Sequence, residues 1–168
     1  TQSLSAINST SIKERFCQQT KITKEVSSED VSISQLQIKT IHNNLIPCQV
    51  NLSAVTKQSK GFSLEIYGKN GTLILSSENQ KDYVHGFGLW LSYKGEVLKN
   101  IQPDSDLAFS KIWTDGRIAP VARIQRWWAQ SIKDGVPVIP GLVEGLASQK
   151  VCDKVKESNS IGMKLEID

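Results

Sequence analysis

The sequence predicts an α+β fold: an open-faced, mostly antiparallel β-sheet with helices packed on one face. Three observations predict it. Segments of period-two alternation fill the first half of the chain, an Asn-Gly turn joins two of them, and the segments with helical periodicity come only afterwards. Strands followed by helices put the helices together on one side of a sheet, and consecutive hairpins make neighbouring strands antiparallel.

Residues 1–11 are short, polar and rich in Ser and Thr, and read as a tail or the end of an upstream element. A single domain is therefore expected over 12–168, opening with a strand over 12–23. Leu36 and Ile38 begin the alternating pattern, and His42-Asn43-Asn44 supplies a turn. Beyond it Ile46, Cys48, Val50, Leu52 and Ala54 fall on one parity and Gln49, Asn51 and Ser53 on the other, the mark of a strand with one wet face. Phe62, Leu64 and Ile66 run to Gly68-Lys69-Asn70-Gly71, and the chain returns through residues 72–76. Asn70-Gly71 is the hairpin signal, since both residue types tolerate positive φ. Residues 84–93 hold a strand with two glycines and residues 95–98 a further short one, while Pro103-Asp104-Ser105-Asp106 is a loop.

The first helix begins near Pro120, a residue suited to a first turn. At 100° per residue Ile118, Val121, Ile124, Trp128 and Ile132 form one stripe, with Arg123, Arg126 and Gln130 opposite and Trp127 on the flank. Gly135 stops it. A last helix opens at Glu144-Gly145-Leu146 and buries Ala147, Val151 and Val155, with Cys152 beside them. Met163, Leu165 and Ile167 alternate as a closing strand. The open sheet face then carries Gln49, Asn51, Ser53, Ser63, Glu65 and Tyr67.

Composition excludes several classes. A formal charge of +3, with Lys and Arg interspersed among Asp and Glu, lacks the basic stripe of a nucleic-acid domain. No apolar run reaches the roughly 20 residues that cross a bilayer. Cys17, Cys48 and Cys152 are odd in number and widely spaced, which points to a reducing cytoplasm rather than a disulfide framework.

Local chemistry is sparse. Gly86-Phe87-Gly88 lacks the third glycine and the helix start of a dinucleotide loop, so it reads as bends within a strand. Gly61-Phe62-Ser63-Leu64-Glu65 lacks the second glycine of a nucleophile elbow. His42 belongs to a turn, whereas His85 stands beside Tyr83, Phe87 and Trp90 and is a candidate to face a substrate together with Trp90. Neither histidine has partners at metal-ligand spacing, so no metal is expected. Asp104 and Asp106 pair as acids but read as a solvated turn. Arg123, Arg126, Lys133 and Trp127 are the outer side of a packed helix before they are a phosphate-binding patch.

An ordered set of landmarks nevertheless resembles a known family. Ser28-Glu29-Asp30 precedes the first alternating strand, Phe62 to Leu73 forms a hairpin with Gly68 and Gly71, and the helix ending at Gly135 follows. Glu144-Gly145-Leu146, Gln149, Val151, Asp153, Ser158, Gly162 and the last strand complete the set. Over residues 25–168 the chain is similar to the C-terminal, substrate-side domain of the Gfo/Idh/MocA oxidoreductases. That resemblance implies a separate Rossmann domain holding NAD or NADP, hydride transfer to or from a sugar, polyol or similar hydroxyl compound, and a sheet face that mediates homo-oligomers. Here the family's cofactor loop, its Glu-Lys-Pro segment and its Asp-x-Gly-x-His helix have no counterpart, so no catalytic or cofactor-binding residue is assigned and the chain alone is expected to be inactive. Gln49, Asn51, Ser53, Glu65 and Tyr67 are the candidate oligomer face, and His85 and Trp90 the candidate substrate-facing pair. Two other readings compete: a non-catalytic binding or scaffold module on the same fold, and a hydrolase working through His85 or the Asp104/Asp106 loop.

Overall fold

A computed structural model describes residues 1–57, 61–77, 87–102 and 108–167. The chain divides into two compact units, one formed by Thr1–Lys57 with Ile139–Asp168 and the other by Gln58–Val138. Among the described residues every strand pair is antiparallel and the helices are two, as the predicted α+β class requires. Among the described residues the strands form two four-stranded sheets and a separate hairpin rather than one hydrogen-bonded sheet.

In the first unit the sheet order is β10-β1-β4-β5, with β1 Ser3–Ser9, β4 Val31–Lys39, β5 Leu45–Ser53 and β10 Leu165–Glu166. The segment expected as a polar tail or the end of an upstream element thus contains an inner strand of this sheet. Its hydrophobic signal is thin, and pairing with partners distant in sequence decides its state. Leu4 sits opposite Leu36 on one side and Leu165 on the other. Leu4 is 1% exposed and Leu36 8%, so this row is the centre of the core. Burying a leucine side chain stabilises by roughly 2 kcal/mol.

The strand expected over residues 12–23 is a hairpin, β2 Glu14–Cys17 and β3 Ile22–Glu25. Lys21 takes φ 57° in its turn, a non-glycine left-handed position that propensity does not announce. The turn before β5 forms as predicted, with Asn43 at φ 61° and Thr40 and Asn44 joined by backbone hydrogen bonding.

Helix α2, Leu142–Ile161, begins two residues before Glu144 and ends at Gly162, whose φ is 68°. Glu144 Oε2 accepts from the Gly141 N–H at 2.7 Å, closing the first turn. Val151 and Val155 are half-buried, whereas Ala147, predicted buried, is exposed. The helix lies along β1, whose edge is open downstream of the short pairing with β10. There the Ala6 N–H donates to Ser158 Oγ at 3.0 Å and the Asn8 N–H to Asn159 Oδ1 at 2.7 Å. Two helix side chains thus satisfy strand-edge donors that would otherwise lack partners.

In the second unit the order is β6-β7-β8-β9, with β6 Phe62–Gly68, β7 Gly71–Ser77, β8 Phe87–Tyr93 and β9 Lys99–Ile101. The predicted first hairpin is present, but for another reason. Gly68 pairs with Gly71, so Lys69-Asn70 is the loop, and none of these positions has positive φ. Gly71 is required by close approach, because a Cβ there would lie 2.1 Å from the Ser92 carbonyl oxygen. The positive-φ turn is the next described one: Lys94 at 49° and Gly95 at 81° are the central pair of a type I′ turn closed by Glu96 N–H to Tyr93 O. That turn occupies part of the segment 95–98 predicted as a strand; the strand follows it as β9.

Helix α1, Ile118–Asp134, ends at Gly135 in the left-handed region as predicted. Its apolar stripe is exposed within the chain, from 42% at Ile118 to 83% at Ile132.

Candidate functional site

The register places the candidate residues on two separate sheet faces. On the first sheet, the row Ser5–Gln35–Gln49 is followed on one side by Ser3–Gln37–Pro47 and on the other by Ile7–Ile33–Asn51, with Ser53 beyond, opposite Val31. Gln49, Asn51 and Ser53 therefore share one face, as alternation predicted, and Gln49 Nε2 reaches Asn51 Oδ1 at 3.4 Å. A groove of about 460 Å³ opens on this face, lined by Ser3, Ser5, Gln35, Gln37, Gln49 and Lys164. Gln35 and Gln37 were legible from their parity against Leu36 and Ile38; Ser3, Ser5 and Lys164 were not, because only the fold brings both chain ends to this strand pair.

On the opposite side of the same sheet a second cavity, about 580 Å³, lies between β4, β5 and α2. Leu36, Val50, Leu52, Val151 and Val155 give it an apolar lining. Cys152 borders it too, and none of Cys17, Cys48 and Cys152 is in a disulfide.

The second face belongs to the other sheet. Trp90, Ile74 and Glu65 lie in one cross-strand row, and Ser92, Thr72 and Tyr67 in the row beside it. The candidate substrate-facing Trp90 and the candidate oligomer residues Glu65 and Tyr67 thus stand on one surface. Trp90 lies over Gly88: a Cβ on that glycine would be 2.1 Å from the indole ring, so the bend-or-bulge glycine makes room for the aromatic. Ser63 Oγ donates to Glu65 Oε1 at 3.3 Å and the Tyr67 hydroxyl donates to Glu65 Oε2. This bond and the adjacent carboxylate charge raise the Tyr67 phenol above its ordinary 10.0. His85, Asp104 and Asp106 lie outside the described residues.

Arg123 is engaged within its own unit. Its Nη2 donates to the Ala108 carbonyl at 2.7 Å and its guanidinium sits 4.0 Å over the Phe109 ring. Among the described residues no group of three or more His, Cys, Asp or Glu side chains could hold a metal ion. No described helix is long and apolar enough to cross a membrane.

A dinucleotide needs a seat for its pyrophosphate, normally a helix N-terminus with free N–H groups. The two described helix starts do not fit one. At α2 the Glu144 carboxylate fills that position, its pKa held down by the Gly141 N–H. At α1 Asp115 accepts from the Arg117 N–H at 3.0 Å and from its guanidinium at 2.7 and 2.9 Å, which lowers its carboxyl to about 2. The α2 start thus carries a carboxylate, and the α1 start an Asp115–Arg117 ion pair.

The chain has known counterparts. Residues 10–167 match the family model described as "Oxidoreductase family, C-terminal alpha/beta domain", the Gfo/Idh/MocA C-terminal domain. The chain belongs to that family. An uncharacterized oxidoreductase of Synechocystis sp. is 38% identical over 136 residues, covering 81% of this chain and 36% of that protein. Levoglucosan dehydrogenase in complex with NADH and L-sorbose superimposes with a TM-score of 0.74 at 15% identity, over 99% of this chain and 45% of that one. An NAD binding oxidoreductase from Klebsiella pneumoniae gives a TM-score of 0.74 at 16% identity, over 99% and 45%. At those identities the likeness is one of fold. The chain spans less than half the length of these Gfo/Idh/MocA-type relatives.

Proposed function

We propose that this chain is the substrate-side and self-associating part of an NAD(P)-dependent oxidoreductase acting on a sugar, polyol or similar hydroxyl compound. The observation that carries the reading is the family match across residues 10–167, joined to a 38% identical oxidoreductase. The neighbour solved with NADH and L-sorbose supports the cofactor and substrate class. In this reading the nicotinamide cofactor supplies the hydride chemistry from a separate Rossmann domain, and the chain alone binds neither NAD nor NADP. The Glu144 carboxylate at the start of α2 is consistent with that division of labour.

The sheet faces carrying Gln49, Asn51 and Ser53, and Glu65 and Tyr67, are the self-association surfaces of a homo-oligomer, with no part for nucleic acid or membrane. A two-fold dimer would meet through the same patch on both copies. Unpaired cysteines agree with a cytoplasmic home. The test is a turnover screen of the full-length protein with NAD and NADP against sugars and polyols, followed by the absorbance of the reduced nicotinamide. Production of reduced nicotinamide with any member of the panel supports the reading; a full-length protein that binds neither dinucleotide ends it.

A further inference from the structure

We infer that the cavity between β4, β5 and α2 binds a small neutral molecule with an apolar body and one hydroxyl group, an alkylphenol in chemical class. The cavity lies on the helix side of the first sheet, away from the face assigned to self-association. Its branched aliphatic walls do not suit a sugar or polyol, so this ligand is distinct from the proposed substrate.

Ser34 is the first sign of a site. The register sets it on the cavity floor between Ala6 of β1 and Val50 of β5, neither of which has a side chain able to hydrogen-bond. Ser34 is 5% exposed, and its hydroxyl makes no hydrogen bond among the described residues. A hydroxyl withdrawn from water without a partner costs free energy, which a ligand that bonds to it recovers. The next row along the strands is Asn8–Ser32–Leu52. There Asn8 Oδ1 is buried and unpartnered, and the Ser32 hydroxyl is unpartnered too among the described residues. Three polar side chains with unused bonding capacity therefore border one apolar cavity.

The polar groups select a hydroxyl. Each serine hydroxyl donates and accepts, and the Asn8 amide oxygen accepts. A ligand hydroxyl does both, so it can answer a serine or the amide oxygen. The ionised residues bordering the cavity do not require a charged ligand. Asp30 already accepts from the Ser11 and Ile12 N–H groups, and Glu29 and Lys156, of opposite charge, are exposed to water. Leu36, Val50, Leu52, Val151 and Val155 supply walls for a hydrocarbon body. A volume of about 580 Å³ with an apolar lining and a few polar groups is the usual form of a small-ligand site.

The experiment titrates the full-length protein, without dinucleotide, by ligand-observed NMR. The probes are 4-ethylphenol, ethylbenzene, which lacks the hydroxyl, and glycerol, which lacks the apolar body. 4-Ethylphenol is expected to bind at least about fivefold more tightly than ethylbenzene, and glycerol to show no saturable binding. Ser34→Ala should remove most of the phenol's advantage while melting no lower than the parent, because the lost hydroxyl has no partner. Val151→Phe fills the cavity and should abolish binding of both aromatic probes. Equal affinities for 4-ethylphenol and ethylbenzene, or phenol binding unchanged in folded Ser34→Ala and Val151→Phe, overturns the assignment. A clearly lower melting temperature for Ser34→Ala contradicts its premise. Binding by the 168-residue chain but not by the full-length protein would mean that another part of the protein covers the cavity, and overturns the assignment as well. Neither dinucleotide nor turnover enters these titrations, so a failure of the oxidoreductase reading stays distinguishable from a failure of this one.

Discussion

The Ser158 hydroxyl joins the last helix to the first strand: its Oγ accepts from the Ala6 N–H at 3.0 Å while donating to the Met163 carbonyl at 2.6 Å. Ser158 is 1% exposed, so water cannot replace either bond. One side chain therefore holds the β1 edge, the end of α2 and the approach to β10 in register. Ser158→Ala leaves a strand-edge N–H without its partner and should cost about 1–3 kcal/mol in urea unfolding. Asn159→Ala, at an exposed site, should cost less. Equal effects from the two would remove the special role given to Ser158.

Asp30 does comparable work before β4. Its carboxylate accepts from the Ser11 N–H at 2.7 Å and the Ile12 N–H at 2.9 Å, with Arg15 Nη2 at 3.9 Å, and its side chain is 4% exposed. The two backbone donors, more than the Arg15 charge, hold its pKa below the ordinary 3.8. A folded value lower than the unfolded one contributes stability that is complete above 3.8 and fades as pH falls through the folded value. Stability measured from neutral pH downward should therefore drop more steeply below about 3.8 in the parent than in Asp30→Asn. Asp30→Asn should also be less stable at neutral pH. Parallel curves for the two proteins would contradict this account.

Gly68 and Gly71 look alike in sequence but differ in tolerance. A Cβ at Gly71 would stand 2.1 Å from the Ser92 oxygen, whereas the nearest atom for Gly68 is 3.5 Å away. Gly71→Ala must part β7 from β8 and should lose about 3 kcal/mol, while Gly68→Ala should lose much less. Thermal melts of the two variants decide it, and a reversed order would refute the close-approach explanation.

The Tyr67 phenol gives a local probe of the second sheet face. Glu65→Gln removes the carboxylate that raises it, so its titration should move back toward 10.0, read from the tyrosine ring carbons by NMR. An unchanged midpoint would mean that the two side chains do not meet in solution.

The sequence disclosed those parts of the fold that rest on local chemistry. Alternation around Leu36, Ile38, Val50 and Leu52 placed β4 and β5, and Gly135 marked a helix end with the expected left-handed conformation. It concealed what depends on distant partners. Ser3–Ser9 carries little apolar weight, and it becomes a strand because Leu36, Leu165 and Ser158 meet it. The β2–β3 turn escaped because Lys21 adopts a positive φ without being glycine. For the candidate sites, parity grouped Gln49 with Asn51 and Glu65 with Tyr67, but not that Trp90 shares a face with the second pair or that Lys164 meets Gln37.

The most direct measurement of the central proposal is an equilibrium titration of NAD and NADP into the full-length protein and, in parallel, into this 168-residue chain. The account predicts saturable binding of at least one dinucleotide by the full-length protein and none by the chain. Tight dinucleotide binding by the chain alone would contradict it.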